Sequence, residues 1–289
     1  MPLNAVWHCR GMDMNKRAFT IVPSAYGIAS FSTALSLRYG IVLVALFLGS
    51  LCVAYAQTIN AGTPTAVETL FSWVPFILRG FLLNLYMSFL AMALATVLGI
   101  LLGLMQISLF WPVRAIARLV THLLRNSPWL VILFIAMYTM PEEFRLPGGI
   151  VIPFPGWMKA TVAFALPVMG NISEIVRGAV RSIPSGQWES AESLGFTRVQ
   201  TLWNIILPQS FRRSIPPWMN WYALLTLSTP MASIFSVRES VANAQAAMEA
   251  SGGRPEFLFP FYLFLLCLFF AYIYPIALLT RKLEKRYAA

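Results

Sequence analysis

Read position by position, the 289-residue chain alternates long apolar runs with short polar ones. A helix crosses the hydrocarbon core of a bilayer with roughly 20 apolar residues. Six stretches reach or approach that length: 40–56, 81–105, 119–140, 157–176, 218–237 and 257–279. The first is clean but short, the last the most apolar. Stretch 119–140 carries Arg125, stretch 157–176 is interrupted by Pro167, Gly170 and Asn171, and stretch 218–237 is rich in Ser and Thr. The pattern predicts an all-α integral membrane protein with no soluble domain and no repeat at a fixed period.

One polar segment does not read as a plain loop. In GQWESAESLGFTRVQTLWNIILPQ, residues 186–209, Ser185 just ahead is a candidate N-cap for a helix through Trp188, Glu189, Ala191 and Glu192 to Leu194. Gly195 follows where a helix end favours a left-handed residue. Thr197 and Gln200 fit a capping box for a second helix, with Val199, Leu202, Ile205 and Ile206 on one side and an end at Pro208. The result is a helix–turn–helix elbow. Small Ala191 beside bulky Trp188 suits insertion into a partner's groove; an amphipathic hairpin lying on the membrane surface fits the periodicity equally well.

Composition sharpens the class. The chain is 58% hydrophobic and 11% charged, with a net charge of +10, whereas soluble domains carry about 25% charged residues. In a soluble protein the basic excess would raise nucleic acid as a partner; here it sorts by loop, and no nucleic-acid partner is expected. With the N-terminus inside, the inner segments hold Arg10, Lys16, Arg17, Arg38, Arg114, Arg118, Arg177, Arg181, Arg198, Arg212, Arg213, Arg281, Lys282, Lys285 and Arg286. The outer ones hold only Arg79, Arg145, Lys159, Arg238 and Arg254. Six spans with both ends cytoplasmic satisfy the positive-inside rule throughout. Residues 1–38 do not read as a signal peptide, and Met12 or Met14 is an alternative start.

Chemistry is sparse. Cys9, Cys52 and Cys267 are scattered, His8 and His122 lack a second ligand at helical spacing, and no metal or other cofactor is expected. No G-x-x-x-x-G-K-[ST] loop is present: Gly148-Gly149 leads to Ile150 and Gly252-Gly253 to Arg254. The chain is therefore not expected to be an enzyme, and ATP hydrolysis, if it powers the protein, belongs to a separate subunit.

Polar groups inside apolar stretches are costly and so become candidates. Asn84, Ser88, Asn171, Ser173, Ser228, Thr229 and Ser233 are candidates for a substrate path; back-bonding of Ser and Thr to their own helix is the alternative. Arg125 can snorkel, pair with Glu174, or cap carbonyls near Pro128, as a structural or gating residue. Glu174 and Arg177 stand three apart and are placed to pair. Ala91, Ala95, Gly99 and Gly103 form a small-residue stripe that suits either packing within the chain or a seam with another subunit.

The elbow resembles the EAA loop of bacterial ABC importer permeases. E-A-A, Gly and I-x-L-P appear as ESA at 189–191, Gly195 and IILP at 205–208. EIVRGAVRSIP (174–184), RNSP (125–128) and LEKR (283–286) resemble further elements of the polar amino acid subfamily, the histidine and glutamine type. Ser190 replaces the middle residue of E-A-A, and LSTPM at 227–231 lacks the lysine usual there.

The resemblance implies a type-I ABC importer transmembrane fold, a five-span core with one extra N-terminal span. Residues 1–38 would form a cytoplasmic tail, 39–74 the extra span and a periplasmic loop, 75–280 the transmembrane domain with its coupling loop at about 182–209, and 281–289 a basic tail. It implies two copies of an ABC ATPase subunit, an identical or homologous permease, a periplasmic binding protein and a small polar amino acid-like substrate at the bacterial inner membrane. Trp188, Glu189, Ala191, Gly195, Leu207 and Pro208 would couple to the ATPase. An ion-coupled secondary transporter and a non-translocating scaffold that docks an ATPase are the rival readings.

Overall fold

The computed structural model describes residues 65–145 and 151–287, together with helical positions Val42, Leu46 and Gly49. The rest of stretch 40–56 and the basic tail before it lie outside the described residues.

The first long helix, α1 (Ala66–Gln106), starts 15 residues ahead of the apolar stretch 81–105. Its start is set by a capping box: Glu68 donates its amide to Thr65 Oγ1 at 3.1 Å, and Thr65 donates its amide to Glu68 Oε2 at 2.9 Å. Hydropathy finds only the part that must sit in lipid, so it missed these early turns. At 1.5 Å per residue α1 is about 60 Å long, roughly twice what a bilayer core requires.

Stretch 119–140 is not one continuous helix. It divides into α2 (Trp111–Asn126) and α3 (Trp129–Thr139), bent by 101° at Ser127-Pro128. The residue before proline is driven out of the helical region by the proline ring, and Ser127 is extended, with ψ 134°. Arg125 therefore sits at a corner between two helices.

Two three-residue antiparallel strands, β1 (Glu143–Arg145) and β2 (Val151–Pro153), pair Phe144 with Ile152 in an otherwise helical fold. Helix α4 (Gly156–Arg181) lies at the centre of the bundle. Its Phe164, Val168 and Ile172 pack with Met87, Ala91 and Ala95 of α1 and Leu133 of α3.

The small-residue stripe is part of this packing. A Cβ on Gly99 would lie 2.7 Å from Ile172 Cβ, and one on Gly103 2.8 Å from Val176 Cβ. Contact within the chain uses the stripe, leaving none of it as a seam.

After the elbow, α7 (Leu207–Ser228) begins 11 residues before the apolar stretch 218–237 and contains Pro216 and Pro217. The chain then tightens into a 3-10 helix, Thr229–Phe235, ended by left-handed Ser236. The segment expected as an external loop contains α8 (Ser240–Ala250), which packs on the first turns of α1. A short 3-10 turn, Pro255–Phe257, leads into α9 (Leu258–Tyr287).

By length and composition α1 and the Pro255–Tyr287 segment are each able to cross a membrane, and the bent α2–α3 pair is a third if it forms one broken span. Exposed Leu82, Phe89 and Val97 on α1 and Phe259 and Leu266 on α9 present the apolar surface that lipid requires.

Candidate functional site

The elbow is built from two short helices, α5 (Ser185–Ser193) and α6 (Arg198–Thr201). Pro184, not Ser185, occupies the N-cap of α5, without a side-chain cap. Gly195 has φ +78°, a conformation costly for residues with a Cβ. Around it the Phe196 amide donates to Ala191 O at 3.1 Å and the Gly195 amide to Glu192 O at 2.9 Å. That pair of bonds is the Schellman closure of a helix end. Thr197 and Gln200 then form both halves of a capping box.

The second helix does not stop at Pro208. A π-helical turn, Leu202–Ile206, carries α6 directly into α7, and the Leu207 amide donates to Leu202 O. Pro208 falls just after the π turn, where the helix changes its hydrogen-bond spacing and continues without ending. The wider turn also breaks the 3.6-residue period. Ile206 is fully buried while Val199 is 65% exposed, so the two do not share a face as the periodicity predicted.

Two expected docking residues face inward. Ala191 is 1% exposed. Trp188 is half-buried against Val180, Ile183 and Ile206, with the Arg198 guanidinium 5.5 Å from its ring centre. Leu207 joins that cluster. Glu189 and Pro208 are exposed, as are Leu194, Val199 and Trp203. The elbow thus exposes large apolar side chains at Leu194, Phe196, Val199 and Trp203, none of which the sequence alone marks as a docking residue. The signal lay in their position: apolar side chains flanking the glycine turn in an otherwise polar segment. At the elbow's base Arg213 Nη1 donates to Ser182 O at 2.6 Å and lies 3.0 Å from Ser182 Oγ, tying α7 to the end of α4.

About 33 Å along α1 from Gln106 lies a buried polar network. Asn84 Nδ2 donates to Glu239 Oε2 at 2.9 Å and to Thr229 Oγ1 at 3.0 Å, and Asn84 Oδ1 accepts from the Ser240 amide at 3.0 Å. Glu239 caps α8, accepting from the Val241 and Ala242 amides. Glu239, Asn84 and Thr229 are fully buried. Glu239 escaped the sequence reading because it lies just beyond an apolar stretch and is followed by Ser240, a more usual cap.

The remaining path candidates do not converge. Ser88, Ser228 and Ser233 donate to Leu85 O, Leu224 O and Pro230 O of their own helices. Thr229 also back-bonds, to Thr226 O. Asn171 donates to Pro167 O at 2.8 Å and accepts from Arg125 Nε at 3.0 Å. These hydroxyls thus bond to carbonyls of their own helical segments.

Arg125, Glu174 and Arg177 do come together. Glu174 accepts from Arg177 Nε at 3.1 Å, and its Oε2 lies 3.6 Å from Arg125 Nη1. One carboxylate thus bridges the α2–α3 corner and the last turns of α4, close to where the elbow begins.

Comparison with known proteins places this arrangement. The model of the family described as "Binding-protein-dependent transport system inner membrane component" matches residues 95–288, and the chain belongs to that family. It is therefore a multi-pass component of the inner membrane.

Among curated relatives, the Bacillus subtilis (strain 168) "Probable amino-acid ABC transporter permease protein YckA" is 33% identical, over 78% of this chain and 93% of its own. From the same organism, the "Probable glutamine ABC transporter permease protein GlnP" is 29% identical, over 73% and 93%. The "L-cystine transport system permease protein TcyB" of that strain is 33% identical, over 66% and 78%.

Among solved structures, an amino acid ABC transporter crystallised with histidines matches with TM-score 0.65 at 21% identity, covering 75% of this chain and 96% of the other. An inward-facing MetNI methionine ABC transporter matches with TM-score 0.55 at 16% identity, covering 72% and 96%. These two show the shared fold.

Proposed function

We propose that this chain is the translocating permease subunit of an ATP-driven importer for a polar amino acid or a related small zwitterion. Relatives named for glutamine, cystine and amino-acid transport support the substrate class. ATP hydrolysis belongs to a separate ABC ATPase subunit, and a substrate-binding protein delivers the cargo. Two ATPase subunits act on a pair of permeases, identical or homologous, and both chain ends lie in the cytoplasm. Of the residues between 65 and 287, the positive-inside pattern supports that orientation: Arg118, Arg177, Arg181 and the elbow share one end of the bundle.

The observation that carries the mechanism is the unbroken helical path from Arg198 through the π turn to Ser228. An ATPase that moves the elbow moves α7 with it, because no loop intervenes to absorb the displacement. The elbow is shaped before the partner arrives, through the Schellman closure, the capping box and the half-buried Trp188, so docking costs little further ordering. Glu189, Leu194, Val199 and Trp203 supply the contact. Ala191, Gly195, Leu207 and Pro208 hold the elbow's shape, and Arg125, Glu174 and Arg177 brace its root.

Reconstitution into proteoliposomes with the ATPase and the binding protein tests this reading. Labelled amino acid is expected inside only with ATP, and Glu189→Lys is expected to lose ATPase association or uptake. Uptake driven by a proton gradient without ATP would identify an ion-coupled transporter instead. ATPase association without uptake under any condition would identify a scaffold.

A further inference from the structure

Between the C-terminal ends of α1 and α4 and the flank of α2 lies a cavity of about 260 Å³ lined by Gln106, Arg118, His122, Glu174, Arg177 and Arg181. Its electrostatics are lopsided. Glu174, the only carboxylate in the lining, is already paired with Arg177 and Arg125. Among the described residues Arg118 and Arg181 have neither a hydrogen bond nor an ion pair, and both side chains are exposed. Gln106, in the same lining, is 1% exposed. Its Nε2 donates to Thr121 Oγ1 at 2.9 Å and Ser173 Oγ at 3.0 Å, while its Oε1 is buried with no hydrogen-bond partner. A buried acceptor left without a donor is costly, and a concave site with two uncommitted guanidiniums attracts an anion.

We propose that this cavity binds a phosphate-bearing anion that also carries a hydroxyl. The phosphate sits between Arg118 and Arg181, and the hydroxyl donates to Gln106 Oε1. The anionic glycerophosphate headgroup of a membrane lipid meets both requirements, and basic pockets between helices on the cytoplasmic side are where such headgroups bind. A zwitterionic ethanolamine or choline headgroup brings a cation toward the arginines and fits poorly. The placement at the inner leaflet rests on the orientation given above. The lipid would staple α2 to the last turns of α4, immediately before the elbow.

The test is native mass spectrometry of the detergent-purified full chain, titrated with phosphatidylglycerol, phosphatidylcholine or inorganic phosphate. Wild-type protein is expected to retain one phosphatidylglycerol in preference to phosphatidylcholine. Arg118→Gln with Arg181→Gln is expected to weaken that retention by about tenfold or more. Gln106→Leu, which removes the buried acceptor, is expected to reduce the preference for the glycerol headgroup over phosphatidic acid, titrated in parallel as the headgroup that lacks the hydroxyl. Arg145→Gln, in the β1–β2 hairpin, is the control and is expected to change nothing.

Binding of inorganic phosphate that competes fully with the lipid would keep the anion site but assign it a soluble ligand. Equal retention of both lipids by wild type, or equal retention of phosphatidylglycerol by wild type and the double variant, would overturn the proposal. Thermal unfolding of each variant separates a lost site from a lost fold. The measurement uses neither ATPase nor substrate, so its failure leaves the transport reading untouched.

Discussion

Asn84 and Glu239 lie 155 residues apart in sequence, yet their side chains meet at 2.9 Å. The contact joins the middle of α1 to the cap of α8, and Asn84 uses both ends of its amide there, donating to Glu239 and accepting from Ser240. A buried carboxylate is tolerated only when its oxygens are well supplied with donors. Asn84→Leu withdraws one of those donors and orphans the Ser240 amide. It is expected to cost about 2–4 kcal/mol of stability, on the scale of a buried polar group left unpaired. Glu239→Gln keeps one acceptor oxygen for the helix amides and is expected to cost less. Thermal unfolding in detergent checks the order; equal and negligible effects of the two changes would contradict the account of the network.

Lys159 and Glu142 form an unequal pair. The Lys159 side chain is 2% exposed, that of Glu142 is 84% exposed, and they meet at 2.7 Å. Removing the partner of a buried charge is worse than removing the charge itself. Glu142→Ala is expected to destabilise by about 1–2 kcal/mol, below the usual penalty for a buried pair because Glu142 is solvent-screened. Lys159→Met is expected to be close to neutral. A greater loss for Lys159→Met, measured in the same unfolding assay, would show that the ammonium itself stabilises the bundle.

Gly195→Val separates shape from folding. A β-branched residue at φ +78° is strained by about 1–2 kcal/mol, and the cost falls on the elbow alone because no other atom lies within 4 Å of the added Cβ. The variant is expected to insert and purify like wild type while ATPase co-purification falls. A folded variant with undiminished ATPase association would mean that the left-handed turn is dispensable for docking.

Local chemistry in the elbow and in the helix that leads to it was legible in the sequence because it depends on neighbours a few residues apart. Gly195 at the helix end, the Thr197–Gln200 capping box and the Glu174–Arg177 pair are all of that kind. Features set by tertiary contact were not. Val199 departs from the face of Ile206 because a π turn shifts the helical phase, and periodicity assumes a constant one. Small size suits a groove and a core alike, so the sequence alone does not tell that Ala191 faces inward. The break at Ser127-Pro128 was hidden because apolar residues at 119–124 and 129–138 outweigh Arg125 and Asn126 between them, and hydropathy averages over the bend. Glu239 carried no signal at all: its partners come from α1 and from the backbone of α8, and no local pattern announces them.

The most direct test of the coupling account places a photo-crosslinking amino acid, one position at a time, at Leu194, Val199, Trp203 and Ala191, in the complex assembled with its ATPase subunits. The account predicts ATPase adducts at Leu194, Val199 and Trp203, changing in yield when ATP is added, and none at buried Ala191. Adducts with lipid alone at the three exposed positions, or yields indifferent to nucleotide, would contradict it.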